Sequence, residues 1–167
     1  MRKVFQCIES MIPANGVFVD FGCGKGRVLL LASEFGFAKV RGVDFAPEFC
    51  AVARSNYIVY QNRTGVKTEF RIIESDVVDY VINKEDNVFF MYNPFDGVVM
   101  SRVLDNIAAS LEMQPRRILI IYHNPVHSNI IEERCIVFKS KELTFKGSYS
   151  YVVYSNEDLG DQSSKTL

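Results

Sequence analysis

No run of apolar residues in the sequence approaches the ~18 needed to cross a bilayer as a helix, and no signal-peptide pattern opens it. The chain therefore reads as cytoplasmic, with no membrane partner. It also lacks an excess charge: 19 Lys and Arg stand against 20 Asp and Glu, for a net charge of −1. The lack of a global basic field argues against tight unaided binding to bulk DNA, though not against a local site, and no strong nucleic-acid signal stands out. The four cysteines (Cys7, Cys23, Cys50 and Cys135) lie far apart without a C-x-x-C pair, and there are only two histidines. Neither a zinc set nor a disulfide framework can be read from them, and no metal is implied. There are no internal repeats. What remains is ordinary for one globular domain: 167 residues, 48% hydrophobic and 23% charged, long enough to bury a core.

The chain is organised around Val17-Phe-Val-Asp-Phe-Gly-Cys-Gly-Lys-Gly-Arg27. An apolar, β-branched run ends at Asp20, glycines follow at Gly22, Gly24 and Gly26, and Val28 to Ala32 reads as the buried face of a helix. Strand, glycine turn and helix let backbone approach a ligand where a side chain would block it, and the helix N-terminus aims free N–H groups at it. The spacing is G-x-G-x-G, with Arg27 where the third glycine of a dinucleotide fingerprint would stand. D-x-G-x-G-x-G before an apolar helix resembles the first motif of class I S-adenosylmethionine-dependent methyltransferases.

Apolar spacing at Val4, Phe5, Ile8 and Met11 predicts one short helix over residues 1–11. Strands are expected at 40–44, 69–76, 87–92 and 116–123, each separated from the next by a helix or crossover. The helix from about Glu48 to Gln61 carries Phe49, Val52, Ala53, Tyr57, Val59 and Tyr60 at helical spacing. Asp96 is placed to cap another, reaching about Glu112. Glu133 to Thr144 and Ser148 to Ser155 read as an antiparallel pair around Gly147, and residues from Asn156 onward as a disordered tail. The expected architecture is a doubly wound α/β domain over 1–155, its mostly parallel seven-stranded sheet closed by an antiparallel C-terminal strand. The resemblance to class I methyltransferases covers nearly all of it.

By that resemblance the Gly22, Cys23, Gly24 and Gly26 segment lies beside the methionine part of S-adenosyl-L-methionine, and Asp20 holds its ammonium. Asp44, 22 residues beyond Gly22, accepts from the ribose hydroxyls. Phe45 covers one adenine face, Asp76 meets the adenine amino group, and the Val77 N–H faces a ring nitrogen. Asn93-Pro94-Phe95 resembles the Asn/Asp-Pro-Pro-aromatic motif of enzymes that methylate planar nitrogens, with Asn93 gripping the nitrogen and Phe95 stacking on it. It departs from that motif by one missing proline, so the Asn93 carbonyl is an alternative holder of the cofactor ammonium. His123 and His127 flank a second Asn-Pro, where a proton could be removed near neutral pH. Tyr92 and Tyr122 read as core, and Cys23 as a space-filler.

The expected function is methyl transfer to an unidentified acceptor, a protein side chain or other planar amine or amide, with S-adenosyl-L-homocysteine as product. A nicotinamide-dependent oxidoreductase and a non-catalytic cofactor-binding partner are the rivals. With only about 16 residues before the first strand and no long loop, no lid is expected. The acceptor is then presented from outside, or a partner or second copy completes the pocket.

Overall fold

The computed structural model describes residues 1–93, 95–134, 136–145, 150–157 and 165–166. Helices α1 (Arg2–Ile8) and α2 (Arg27–Phe35) frame strand β1 (Val17–Phe21), and a 3-10 turn over Glu9–Met11 extends α1. The expected face of Val4, Phe5, Ile8 and Met11 is the buried one. Then come β2 (Lys39–Asp44), α3 (Pro47–Thr64), β3 (Glu69–Glu74), a 3-10 turn over Val77–Asp79, β4 (Asp86–Tyr92) and α4 (Gly97–Met113). β5 (Leu119–His123), α5 (Ser128–Glu133), β6 (Phe138–Thr144), β7 (Ser150–Ser155) and the two-residue β8 (Lys165–Thr166) complete the chain.

The strands form one sheet in the order β3-β2-β1-β4-β5-β7-β6-β8. β3, β2, β1, β4 and β5 run parallel, and β7 is antiparallel to both β5 and β6. This is the expected doubly wound sheet. The order reverses between β1 and β4, which opens a crevice at their carboxyl ends. β1 and β4 are buried on both faces, as parallel strands covered by helices must be. One apolar layer packs α1 and α2 on Phe18, Val40, Phe90 and Ile121. The other packs Met100, Val103, Leu104 and Ile107 of α4 on Val19, Phe89, Met91 and Tyr122.

Several boundaries differ from expectation. Asp76 lies beyond β3 and caps the following 3-10 turn, its Oδ1 accepting from Val78 N–H at 3.0 Å. On α3 only the small residues Cys50 and Ala53 are buried, while Phe49, Val52 and Val59 are exposed. The reason is clearance: a Cβ on Gly26 would lie 3.1 Å from Ala53 Cβ, so α3 can approach the glycine turn only through small side chains. Ser128–Glu133, ahead of and overlapping the expected strand's start, is helical because burial of Ile131 beside α4 outweighs the β-preference of the Ile130-Ile131 pair. Tyr92, read as core, is exposed. The expected tail begins at Asn156, yet that side chain accepts from Ile118 N–H at 2.8 Å and donates to Arg116 O at 2.7 Å. Lys165 and Thr166 pair with β6; residues 158–164 and 167, like Gly147, lie outside the described residues.

Candidate active site

The carboxyl ends of β1, β2 and β4 bring the predicted residues to one edge. Gly22, Gly24 and Gly26 all have positive φ (76°, 52° and 78°), so the turn uses a backbone that other residues rarely adopt. It folds against β2: the Gly22 and Cys23 N–H groups donate to Val43 O at 2.9 and 3.1 Å. A Cβ built on Gly24 meets nothing within 4 Å, so this position faces open space. Cys23 is buried and burial pushes its thiol up, which removes it as a nucleophile and fits the space-filling reading.

Two carboxylates sit under this turn. Asp44 is tied into it: Oδ2 accepts from Gly24 N–H at 2.8 Å and Oδ1 from Ala46 N–H at 3.0 Å. Asp20 is only 3% exposed, and while its backbone pairs within the sheet, its carboxylate accepts from no described residue. Burial, with the negative charge of Asp44 adding to it, pushes its carboxyl up to about 8. A buried acid without a cation is costly. A positive charge arriving at the glycine turn would favour its ionised form.

A cavity of about 160 Å³ opens beside them, lined by Gly22, Val43, Asp44, Phe45, Ser75, Asp76, Val77, Phe95 and Val99. Phe45 stands exposed at its rim. Phe95 is therefore brought to the same cavity as Phe45 and Asp76, where the motif resemblance had it stacking on the methyl acceptor. Val99 and Ser75 join the cavity unpredicted, because nothing in their local pattern marks them.

Toward β5 the edge changes character. Tyr92, His123 and Tyr151 pair across β4, β5 and β7, and their rings stack at 3.9 and 4.1 Å between centroids. Burial, with the chain's amino terminus nearby, lowers His123 to about 4, so the imidazole is neutral and weakly basic near pH 7. That is a poor setting for proton removal. Asn93 follows β4 with φ 39°, and its Oδ1 lies 3.1 Å from the Tyr122 hydroxyl. Pro94 lies outside the described residues. His127 enters this network through its backbone N–H, which donates to the Tyr122 oxygen at 3.3 Å.

Gly42 is a further residue the site depends on. A Cβ there would fall 2.6 Å from both Cys23 Sγ and Leu29 Cδ1. The available signal was a glycine in mid-strand, which marks close approach of another segment.

The model of the family described as "Methyltransferase domain" matches residues 19–119, the span from β1 to β5 that builds this edge. The chain belongs to the methyltransferase domain family. It is a class I, S-adenosyl-L-methionine-dependent methyltransferase domain by fold and motif. Among curated proteins, the ribosomal protein L11 methyltransferase of Dictyoglomus turgidum is 24% identical over 165 residues, 92% of this chain and 50% of that protein. The Vibrio campbellii protein of the same name is 27% identical over 104 residues, 62% of this chain and 28% of that one. The chain thus spans half or less of the length of these relatives. An RNA methyltransferase from Salinibacter ruber, solved with S-adenosyl-L-homocysteine, has a TM-score of 0.66 at 16% identity, covering 96% and 94% of the two chains. The ribosomal protein L11 methylase of Lactobacillus delbrueckii subsp. bulgaricus gives 0.66 at 13%, covering 90% and 74%. Among the described residues no helix is long and apolar enough to cross a membrane, and no group of His, Cys, Asp or Glu could hold a metal ion.

Proposed function

We propose that this chain transfers the methyl group of S-adenosyl-L-methionine to a planar amine or amide nitrogen of a protein side chain presented at the β4–β5 edge. The observation that carries the reading is Asp20, a buried carboxylate without a cation beneath a glycine turn. Asp20 receives the ammonium of the cofactor, and the Gly22–Gly26 backbone lies along its methionine portion. Asp44, already holding Gly24 N–H, turns its remaining lone pairs to the ribose hydroxyls. Phe45 and Phe95 bound the adenine cavity, Asp76 meets the amino group, and the Val77 N–H, first in its 3-10 turn, faces a ring nitrogen.

The cofactor supplies a sulfonium-activated methyl group, so the protein's task is alignment and exclusion of water. A protein acceptor is supported by exposed apolar or aromatic residues in the segments at the ends of β4 and β5: Tyr92 next to Asn93 in sequence, Val98 at the start of α4, and Val126 after β5. It also agrees with the names of the curated relatives, which act on a ribosomal protein.

The experiment is methyl transfer from labelled cofactor into fractionated lysate, with protease and ribonuclease treatment of the labelled fraction. Label lost to protease alone supports the reading, and label lost to ribonuclease alone moves the acceptor to RNA. Turnover of NADH in place of methyl transfer would remove it.

A further inference from the structure

Tyr122 stands within the α4-side apolar layer with its side chain wholly buried, yet its hydroxyl reaches the strand ends. There the phenolic oxygen accepts from the His127 backbone N–H at 3.3 Å, while the Val126 N–H is held by Asn124 O at 2.9 Å. Burial raises the phenol above its ordinary pKa, so it keeps its proton near pH 7. With that N–H on one of its lone pairs, the hydroxyl donates its proton to Asn93 Oδ1, 3.1 Å away. A carboxamide accepts only through its oxygen. The network thereby assigns the two ends of the amide: oxygen toward Tyr122, NH₂ on the far side.

No described residue accepts from Asn93 Nδ2. The backbone at φ 39° is one that asparagine tolerates better than most residues, and it turns the side chain from β4 toward β5. Asn93 also stands outside the set of residues lining the cofactor cavity. Its free NH₂ is therefore available to the methyl acceptor rather than to the nucleoside.

We propose that Tyr122 is a positioning residue that turns the Asn93 carboxamide so that its NH₂, and not its oxygen, meets the methyl acceptor. This rests on the methyltransferase reading above and narrows it. The acceptor then carries a hydrogen-bond-accepting atom beside the atom methylated, such as the carbonyl oxygen of an amide. A protonated alkyl amine offers only N–H donors and does not fit. The polarity is the reverse of the motif-based expectation, in which the Asn93 oxygen grips an N–H.

Side-chain amide resonances of the full-length, ¹⁵N-labelled protein with S-adenosyl-L-homocysteine test this. The Asn93 NH₂ pair is assigned by its loss in Asn93→Ala. It is expected to show no nuclear Overhauser contact with the Tyr122 ring, to move toward the free-amide position in Tyr122→Phe, and to shift on adding acetamide but not methylammonium. Asn93→Asp keeps the acceptor facing Tyr122 and replaces the outward donors with an acceptor, so its neighbouring signals should respond to methylammonium instead. Affinity for S-adenosyl-L-homocysteine should stay within about twofold in Tyr122→Phe. Contacts between the NH₂ and the Tyr122 ring, an unchanged pair in Tyr122→Phe, or no response to acetamide would overturn the proposal. So would a tenfold loss of cofactor affinity in Tyr122→Phe, which would give Asn93 to the cofactor. If the wild-type protein fails to bind S-adenosyl-L-homocysteine, the methyltransferase reading itself falls.

Discussion

Asp20 concentrates the electrostatics of the site in one side chain. Its folded carboxyl, at about 8, lies above the ordinary 3.8. Its contribution to stability is thus fully present below the unfolded value of about 4 and is lost as pH rises through about 8. Asp20→Asn removes that titration. Thermal melts of the ligand-free protein should show the variant several degrees more stable than wild type at pH 8.5 and nearly equal at pH 4, at about 2–4 °C per kcal/mol for a chain of this size. Binding has the opposite sign, because an ammonium pairs only with the ionised acid. Calorimetry should find wild-type affinity for S-adenosyl-L-homocysteine rising between pH 6 and 8, and a weaker, flat profile in Asp20→Asn. A rising profile that survives the substitution would place the titrating group elsewhere.

Among the elements, the glycine turn and β2 serve the same site by different means. Gly24 has φ 52° and open space around its missing Cβ, so Gly24→Ala strains the backbone by roughly 1–2 kcal/mol and touches no protein atom. It should lower S-adenosyl-L-homocysteine affinity at least tenfold with only a modest fall in melting temperature. Gly42→Ala drives a methyl group into Cys23 and Leu29, an overpacking of about 1–3 kcal/mol. It should destabilise the fold and disturb the turn above it. Equal affinity in Gly24→Ala and wild type would make the turn purely structural. Of these two glycines, the periodic motif revealed Gly24, while Gly42 needed the spacing between β2 and α2.

For the whole molecule, the doubly wound sheet carries an apolar layer on each face and presents its crevice at the carboxyl ends of β1, β2 and β4. The buried residues Arg41, Asp86 and Tyr80, with part-exposed Glu85, tie β2 to the start of β4 away from the site, Tyr80 donating to Asp86 at 2.8 Å. A ligand bound across β1, β2 and β4 therefore stabilises the fold rather than one loop. At about 100 times its dissociation constant, S-adenosyl-L-homocysteine should add about 2.7 kcal/mol. That corresponds to a rise of roughly 5–10 °C in melting temperature. NADH and NADPH should give none. A comparable shift with either would restore the oxidoreductase alternative that the glycine spacing disfavours.

The sequence by itself determined the strand–turn–helix at residues 17–35, the acids Asp20, Asp44 and Asp76, the cap at Asp96, and the alternation that produces a doubly wound sheet. These are local properties: hydrophobic periodicity, backbone conformations open to glycine, and side chains that reach only their neighbours in sequence. Tertiary structure alone decided what depended on distant segments meeting. It buried the Asp20 carboxylate with no partner among the described residues, brought Phe95 to the cavity beside Phe45 and Asp76, stacked His123 between Tyr92 and Tyr151, and set the Tyr122 hydroxyl against Asn93 across 29 residues of chain. No periodicity encodes those contacts, because they arise from strand register and from how closely layers pack, and neither is a property of any one segment.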